Sequence, residues 1–325
     1  MISEDDLIAR FFAPIAGQGS LGLRDDAALI AIGGDEELVV TADALAAGVH
    51  FFADDPPQSI ARKALRVNLS DLAAKGAAPA GFLLSLALPK DWREDWLAKF
   101  ANALAEDARN FSCPLLGGDT IRSPGEVFLS ITALGAVPRG KMVRRDGARV
   151  GDRIYVSGTI GDAAAGFMLR KQKEASTSFD KSARDFLLDR YLHPQPRLAL
   201  APILRAYATA AMDISDGLVG DLTKMLRVSA ASATIELPRI PFSRPAHAAI
   251  TADPSMYDRL LTGGDDYEIL CTVPPHETEN FERAAKKALI DVTAIGMVEA
   301  GNDAPYFLAK DGTRKDFAQG SFSHF

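Results

Sequence analysis

At 325 residues the chain exceeds what one compact core usually holds, so two domains of similar size are expected. Its 36 basic residues against 43 acidic ones leave a formal charge of −7, which argues against nucleic-acid or membrane-surface binding, since both need a basic face. Hydrophobic residues make up 47%, enough for a sizeable core, and no apolar run approaches the ~20 residues of a membrane helix. The opening stretch Met1-Ile2-Ser3-Glu4-Asp5-Asp6 is acidic where a signal peptide is basic and then apolar, so a cytoplasmic protein is expected. The two cysteines, Cys113 and Cys271, lie far apart and form no CxxC, which predicts neither a disulfide framework nor a cysteine zinc site.

In chain order, residues 5–12 predict a short amphipathic helix and residues 38–41 a short apolar strand. Residues 56–75 begin with prolines, place Ile60, Ala64, Leu65, Leu69, Leu72 and Ala73 at helical spacing, and stop at Gly76. Residues 82–88 predict a buried strand, 91–111 a long helix and 127–137 an alternating strand. A composition change at residues 138–141 marks a boundary between domains 1–138 and 139–325. The second half restarts with a strand over 153–157 and a small-residue helix from Asp162. Polar residues 171–182 predict a mobile loop between two helices. Helices over 196–207, 217–228 and 277–289 and strands over 233–237, 268–273 and 292–298 complete a mixed α/β pattern.

One motif is a decoy. Gly135 to Met142 spells GxxxxGK but ends on Met142, which has no hydroxyl for magnesium, and residues 143–147 start no helix for a phosphate to face. No HExxH or GxSxG occurs either.

The chemical signal is instead a series of aspartates beside glycines or after apolar stretches. They fall in Arg24-Asp25-Asp26, Thr41-Ala42-Asp43, Ser70-Asp71, Gly117-Gly118-Asp119, Asp213-Ile214-Ser215-Asp216-Gly217 and Gly263-Gly264-Asp265-Asp266-Tyr267-Glu268. Each alone is ordinary turn chemistry. Asp43, Asp119 and Asp213, however, each follow an apolar stretch, and a carboxylate at the end of a buried strand needs a partner. Basic residues are sparse in these windows, and magnesium, a hard cation shared between carboxylates and substrate phosphates, fits better. Gly117-Gly118 would admit a phosphate closely, and Ser215 is placed to cap a following helix and offer its N-terminus to an anion. His50, in the apolar setting Gly48-Val49-His50-Phe51-Phe52, reads first as a structural histidine, with a substrate contact as the alternative.

These motifs, taken in order with Asp25-Asp26-Ala27-Ala28, Asn68-Leu69-Ser70-Asp71 and Asp146-Gly147-Ala148-Arg149-Val150-Gly151-Asp152, resemble the thiamine-monophosphate kinase family over nearly the whole chain. The resemblance implies a two-domain α/β fold of the aminoimidazole-ribonucleotide-synthetase superfamily. Its N-terminal sheets pair into a barrel-like homodimer interface, its C-terminal mixed sheet is flanked by helices, and its site lies in a cleft between domains. The implied reaction moves the γ-phosphoryl group of ATP onto thiamine monophosphate with several Mg²⁺ ions and no covalent nucleophile. Carried over by position, Asp25, Asp43, Asp71, Asp119, Asp213 and Asp216 become metal ligands, joined by Thr41 and Ala42. Gly118, Arg145 and Ser215 match nucleotide contacts; His50, Asp265 and Phe317 match substrate contacts, Phe317 being equally a core anchor.

The chain departs from the family wording at three places. Arg24 stands in place of a glycine, Ala42 in place of a threonine, leaving only its carbonyl as a ligand, and Asp265 in place of a glutamate. Other superfamily members fit less well. Selenophosphate synthetase needs a reactive residue near the N-terminus, whereas the first cysteine here is Cys113; the hydrogenase-maturation member ends in cysteine, where this sequence ends Ser323-His324-Phe325. Aminoimidazole ribonucleotide synthetase matches the motif wording less closely. From another class, a non-catalytic nucleotide sensor would show the same departures as decay.

Overall fold

The computed structural model describes residues 8–17, 33–171 and 180–317. The chain divides into two compact units, one of Met1–Leu72 with Ala77–Gly140 and one of Ala73–Gly76 with Lys141–Phe325.

The first unit is a four-stranded mixed sheet in the order β1 (Glu36–Ala46), β4 (Phe128–Pro138), β2 (Ala78–Leu88), β3 (Leu115–Arg122). Only β2 and β3 run parallel, joined by a crossover through helix α2 (Glu94–Asn110), as a parallel pair requires. Helix α1 (Pro57–Ala74) precedes β2. It buries Ile60, Leu65, Leu69 and Leu72 completely or nearly so, while α2 does the same with Leu97, Phe100 and Leu104. Each such side chain contributes about 1.5–3 kcal/mol of transfer free energy.

Strand β1 is longer than the predicted 38–41. Its burial alternates residue by residue: Val39 and Leu45 are buried, Thr41 and Asp43 half-buried, and Leu38, Val40, Ala42 and Ala44 exposed. The period of a half-covered strand therefore runs straight through the Thr-Ala-Asp motif, and Asp43 lies inside the strand rather than at its end. Asp119 is likewise inside β3.

In the second unit a seven-stranded sheet runs β11 (Arg314–Lys315), β10 (Tyr306–Leu308), β7 (Ser232–Glu236), β9 (Val292–Glu299), β5 (Arg153–Ser157), β8 (Ile269–Val273), β6 (Ala210–Asp213). Only β10 and β7 are parallel. Both faces are covered. Ile154, Val156, Met212 and Leu270 pack with Leu218, Leu222 and Leu226 of helix α6 (Leu218–Val228). The alternate residues Tyr155, Ala211, Ile269 and Cys271 pack with Leu204 of α5 (Ala201–Tyr207) and Phe281 of α9 (Thr278–Lys287). Double coverage explains why these strands read as continuous apolar runs.

Several differences from expectation have local causes. The predicted helix over 196–207 is a 3₁₀ turn, Leu198–Leu200, followed by α5, because Pro202 has no N–H and fits only the first turn of an α-helix. Helices α7 (Arg244–Ala252) and α8 (Met256–Thr262) and the β10–β11 hairpin fill a stretch for which no element is predicted. The decoy GxxxxGK falls on the end of β4 and the turn after it, with no helix following. A π-helical turn over Ile8–Phe12 stands in the window of the first predicted helix, whose start lies outside the described residues. So do residues 172–179 of the predicted loop; α3 (Asp162–Lys171) and α4 (Lys181–Leu192) stand on either side. Both cysteines are free and buried, and burial pushes the Cys113 thiol up to about 12. Among the described residues no helix is long and apolar enough to cross a membrane.

Candidate functional site

In the first unit three of the candidate ligands meet where α1 packs on β1. The Thr41 hydroxyl donates to the Asp71 carboxylate at 2.5 Å, and the Asp43 backbone N–H donates to the Asn68 side-chain oxygen at 3.1 Å. Asn68 is fully buried and held in turn by the Ala64 carbonyl. Thr41 and Asp43 share the α1 face by strand parity, and Asn68 and Asp71 share one face of the helix at i, i+3. Ala42, between them, turns its side chain to the opposite, exposed face, so a hydroxyl there would not join this group.

Asp119 stands apart from the cluster. The register aligns Asp43 with Ile131, Leu84 and Gly118, whereas Asp119 aligns with Ser85, Ser130 and Ala44. Cross-strand neighbours share a face, so Asp119 belongs to the row opposite to Asp43, and it is exposed. Gly118 has a structural reason of its own: a Cβ there would lie 1.8 Å from the Leu84 carbonyl oxygen. His50 follows β1 in a tight turn; its Nδ1 accepts the Ala46 N–H at 3.1 Å and so carries no proton, leaving the proton of the neutral ring on Nε2.

In the second unit the segments 213–217 and 263–268 are tied together. Ile214 donates to the Glu268 carbonyl, Tyr267 to the Ile214 carbonyl and Asp265 to the Ser215 carbonyl, each at 2.8 Å. Asp213 ends β6 and is buried; Ser215, Asp216 and Asp265 are half-buried. Asp265 and Tyr267 hold left-handed backbone at φ 73° and 50°. Such conformations cost non-glycine residues, and aspartate tolerates them better than most. Gly217, at φ 100°, starts α6 where a Cβ would meet the Thr262 carbonyl carbon at 2.7 Å.

The expected capping role of Ser215 is not what the structure shows. The buried carboxylate of Asp221, inside α6, reaches back and accepts the N–H groups of Ser215 and Asp216 at 3.0 and 2.9 Å. These donors are therefore taken by the chain itself rather than offered to an anion. Nor does Asp216 lack a basic partner: Lys224, two turns into α6, donates to Asp216 and, at 2.8 Å, to the other oxygen of Asp221. Burial and its hydrogen bond to Lys224 act in opposite senses on Asp221, and burial wins, holding its carboxyl above the ordinary range.

Behind the 263–268 segment lies a charged network that sequence reading missed. Glu268 is completely buried and takes the Ser157 hydroxyl at 2.6 Å, Arg190 at 2.7 Å and the Arg197 guanidinium through two nitrogens, the Nε bond at 2.7 Å. Asp266 is buried beside it and accepts the Gly161 N–H at 2.8 Å at the start of α3. Burial pushes the Asp266 carboxyl well above the ordinary carboxylate range, only partly offset by that hydrogen bond.

Arg145 is exposed, its carbonyl taking the Ser229 hydroxyl at 3.2 Å. Phe317 packs edge-on against Phe307 at 5.0 Å between ring centres, on the rim of the core under α6. Asp25 and Arg24 lie outside the described residues. Among the described residues no three acidic, histidine or cysteine side chains converge as a metal-binding group. The donor chemistry nonetheless fits a hard cation: carboxylate and hydroxyl oxygens at Thr41, Asp43 and Asp71, and an Asp216 carboxylate already held by a lysine ammonium standing in as a cation.

The comparisons with known proteins agree with this architecture. Residues 24–137 match the family model described as AIR synthase related protein, N-terminal domain, and residues 149–306 the corresponding C-terminal domain. The chain is 40% identical to a thiamine-monophosphate kinase of Caulobacter vibrioides, over 96% of this chain and 88% of that one. A thiamine-monophosphate kinase crystal structure from Stenotrophomonas maltophilia superimposes with a TM-score of 0.82 at 39% identity, covering 91% of this chain and 92% of that one. An AaThiL structure complexed with AMPPCP and TMP superimposes at 0.79 with 31% identity, covering 93% and 91%. The chain belongs to the thiamine-monophosphate kinase family.

Proposed function

We propose that the protein transfers the γ-phosphoryl group of ATP to the phosphate of thiamine monophosphate, giving thiamine diphosphate and ADP. The observation that carries this reading is likeness to thiamine-monophosphate kinases along almost the entire chain, one of them in complex with AMPPCP and TMP. Phosphoryl transfer asks for positioning and charge neutralisation rather than a covalent nucleophile, and the buried carboxylates and tied segments described above suit that demand.

Asp25, Asp43, Asp71, Asp213 and Asp216, with Thr41 and the carbonyl of Ala42, are assigned as the holders of magnesium, and Asp119, on the sheet face opposite to Asp43, as a ligand to a separate ion. When bound, magnesium supplies positive charge to the phosphoryl oxygens. The Thr41–Asp71 contact supports this by fixing the Asp71 carboxylate before any ligand arrives, and the Asp43–Asn68 contact by holding the backbone at Asp43. Gly118, Arg145 and Ser215 are assigned to the nucleotide; exposure of Arg145 leaves its guanidinium available to phosphate. His50, Asp265 and Phe317 are assigned to thiamine monophosphate. The first unit is thus read as the metal- and ATP-binding domain, and the second as the domain that supplies the remaining nucleotide contacts and acceptor contacts.

The first unit is also read as the dimerisation domain, its partner a second copy of this chain. The support is a sheet face exposed among the described residues, where Leu38, Val40 (56% exposed) and Leu83 stand in successive rows and Phe128 (44%) and Ile121 (58%) share a further row beyond that of Asp119. Pairing two such faces would bury them as a barrel-like interface.

A coupled ADP-release assay tests the reaction. Turnover is expected with thiamine monophosphate and none with free thiamine, which lacks the phosphate acceptor, nor with aminoimidazole precursors. Comparable rates on thiamine and its monophosphate would defeat the reading.

A further inference from the structure

Lys224 bridges two carboxylates that differ in how much they depend on it. Asp221 is buried, with its side chain 1% exposed, and its two oxygens have separate duties: Oδ2 takes the N–H groups of Ser215 and Asp216, and Oδ1 takes the Lys224 ammonium at 2.8 Å. Asp216 is 35% exposed, and its Oδ2 also takes the ammonium. The Lys224 ammonium thus lies within hydrogen-bond reach of both carboxylates at once. A lysine suits this position: its head is a compact charge with three donors on a flexible stem, able to keep one partner while releasing another.

We propose that Lys224 is an internal counter-cation for Asp216, holding that carboxylate while no divalent ion is bound and giving it up to the ion when one binds. The inference rests on the reading of Asp216 as a magnesium ligand. Two features make the exchange feasible. An ammonium and a divalent cation repel each other at one carboxylate oxygen, so the two occupy it in turn. On release, Lys224 retains Asp221, and Asp221 retains its two backbone donors, so no buried charge is left without a partner. Lys224 therefore acts as a positioning residue: it keeps the 213–217 segment in shape without an ion and sets how strongly an ion must bind to take Asp216.

The test reads metal binding directly. Mn²⁺ is titrated into the full-length protein and free Mn²⁺ followed by electron paramagnetic resonance, with and without a non-hydrolysable ATP analogue. Lys224→Met removes the competitor and is expected to tighten Mn²⁺ binding about fivefold, the scale of a part-exposed charge pair. Lys224→Arg, with a fork that grips a carboxylate harder, is expected to weaken it. Asp216→Asn is expected to weaken Mn²⁺ binding and to abolish the gain from Lys224→Met. Thermal midpoints give a second readout: Lys224→Met falls in EDTA and gains more from Mn²⁺ than the parent does. Unchanged or weaker Mn²⁺ binding by Lys224→Met, with Asp216→Asn still weakened, overturns the proposal. Loss of affinity for the ATP analogue in metal-free buffer overturns it too, by making Lys224 a phosphate contact. If Asp216→Asn leaves Mn²⁺ binding intact, the ligand reading of Asp216 is what fails. Should Lys224→Met not fold, Lys224→Arg decides: Mn²⁺ binding at or above the parent's strength overturns the proposal.

Discussion

The hydroxyl of Thr41 donates to the carboxylate of Asp71 at 2.5 Å, and through this bond the middle of β1 is fixed to helix α1. The bond fixes one Asp71 oxygen while the alternation of β1 brings Asp43 to the same side. Thr41→Val keeps the branched shape that suits a strand and removes only the donor. Urea unfolding is expected to show a loss of about 1–2 kcal/mol, the cost of depriving a half-buried carboxylate of its partner. Thr41→Ser should recover most of it. Turnover of Thr41→Val is expected to need more magnesium for saturation, since Asp71 is no longer pre-set. A variant with parental stability would show that water serves the Asp71 carboxylate as well as the Thr41 hydroxyl does.

Much of this architecture was legible from residue patterns, and the failures share a cause. Helix α1 and strand β5 were found nearly to the residue because their own side chains carry the pattern. The apolar run that predicts strand β1 stops at Thr41, and Asp43 reads as lying at the strand's end, whereas an alternating strand tolerates an aspartate on a half-covered face. The aspartates of the site were visible as motifs; the residues that hold them were not. Arg190 and Arg197 reach Glu268 across 78 and 71 positions, and no local spacing announces such a pair. Lys224 carries no signal in the sequence, since it meets Asp216 across the turn at Gly217 rather than at a helical spacing.

The exposed face of the first sheet gives a prediction about assembly. Val40 on β1 and Ile121 on β3 are both more than half exposed on the same face of the sheet. Val40→Glu and Ile121→Glu each place a negative charge there, and burying an unpaired charge at an interface costs several kcal/mol. Sedimentation equilibrium is expected to show a dimer for the parent and a monomer for the double variant, with the fold retained by circular dichroism. A monomeric parent would remove the sheet-pairing reading.

Asp266 predicts how stability changes with pH. Its carboxyl is raised far above its ordinary 3.8 by burial, so the folded chain keeps a proton that the unfolded chain gives up. The associated stability is fully present below the unfolded value and is lost as pH rises through the folded one. Asp266→Asn is neutral throughout and can still accept the Gly161 N–H through its amide oxygen. Relative to the parent it should therefore gain stability between about pH 5 and about pH 8, read from urea midpoints at each end. A parallel pH profile in the two proteins would mean that Asp266 is ionised in the fold.

The Arg197–Glu268 pair predicts a link between buried charge and acceptor binding. Glu268 has no solvent exposure, and Arg197 grips it through two nitrogens while Arg190 and Ser157 take its remaining capacity. Removing one cation leaves a buried carboxylate short of partners, so Arg197→Met is expected to lose about 2–4 kcal/mol, moderated by the arginine that remains. Arg197→Lys keeps the charge but not the fork and should fall between the two. The effect reaches the site along the backbone. The Glu268 carbonyl takes the Ile214 N–H, and three residues earlier Asp265 donates to Ser215 from a left-handed conformation that its surroundings must enforce. Loosening Glu268 releases that constraint, so the KM for thiamine monophosphate is expected to rise by about tenfold, the cost of roughly 1.4 kcal/mol of lost positioning, with a smaller effect on kcat. Unaltered KM in Arg197→Met, at reduced stability, would assign the pair to the core alone and leave Tyr267 and Asp265 held by their own backbone bonds.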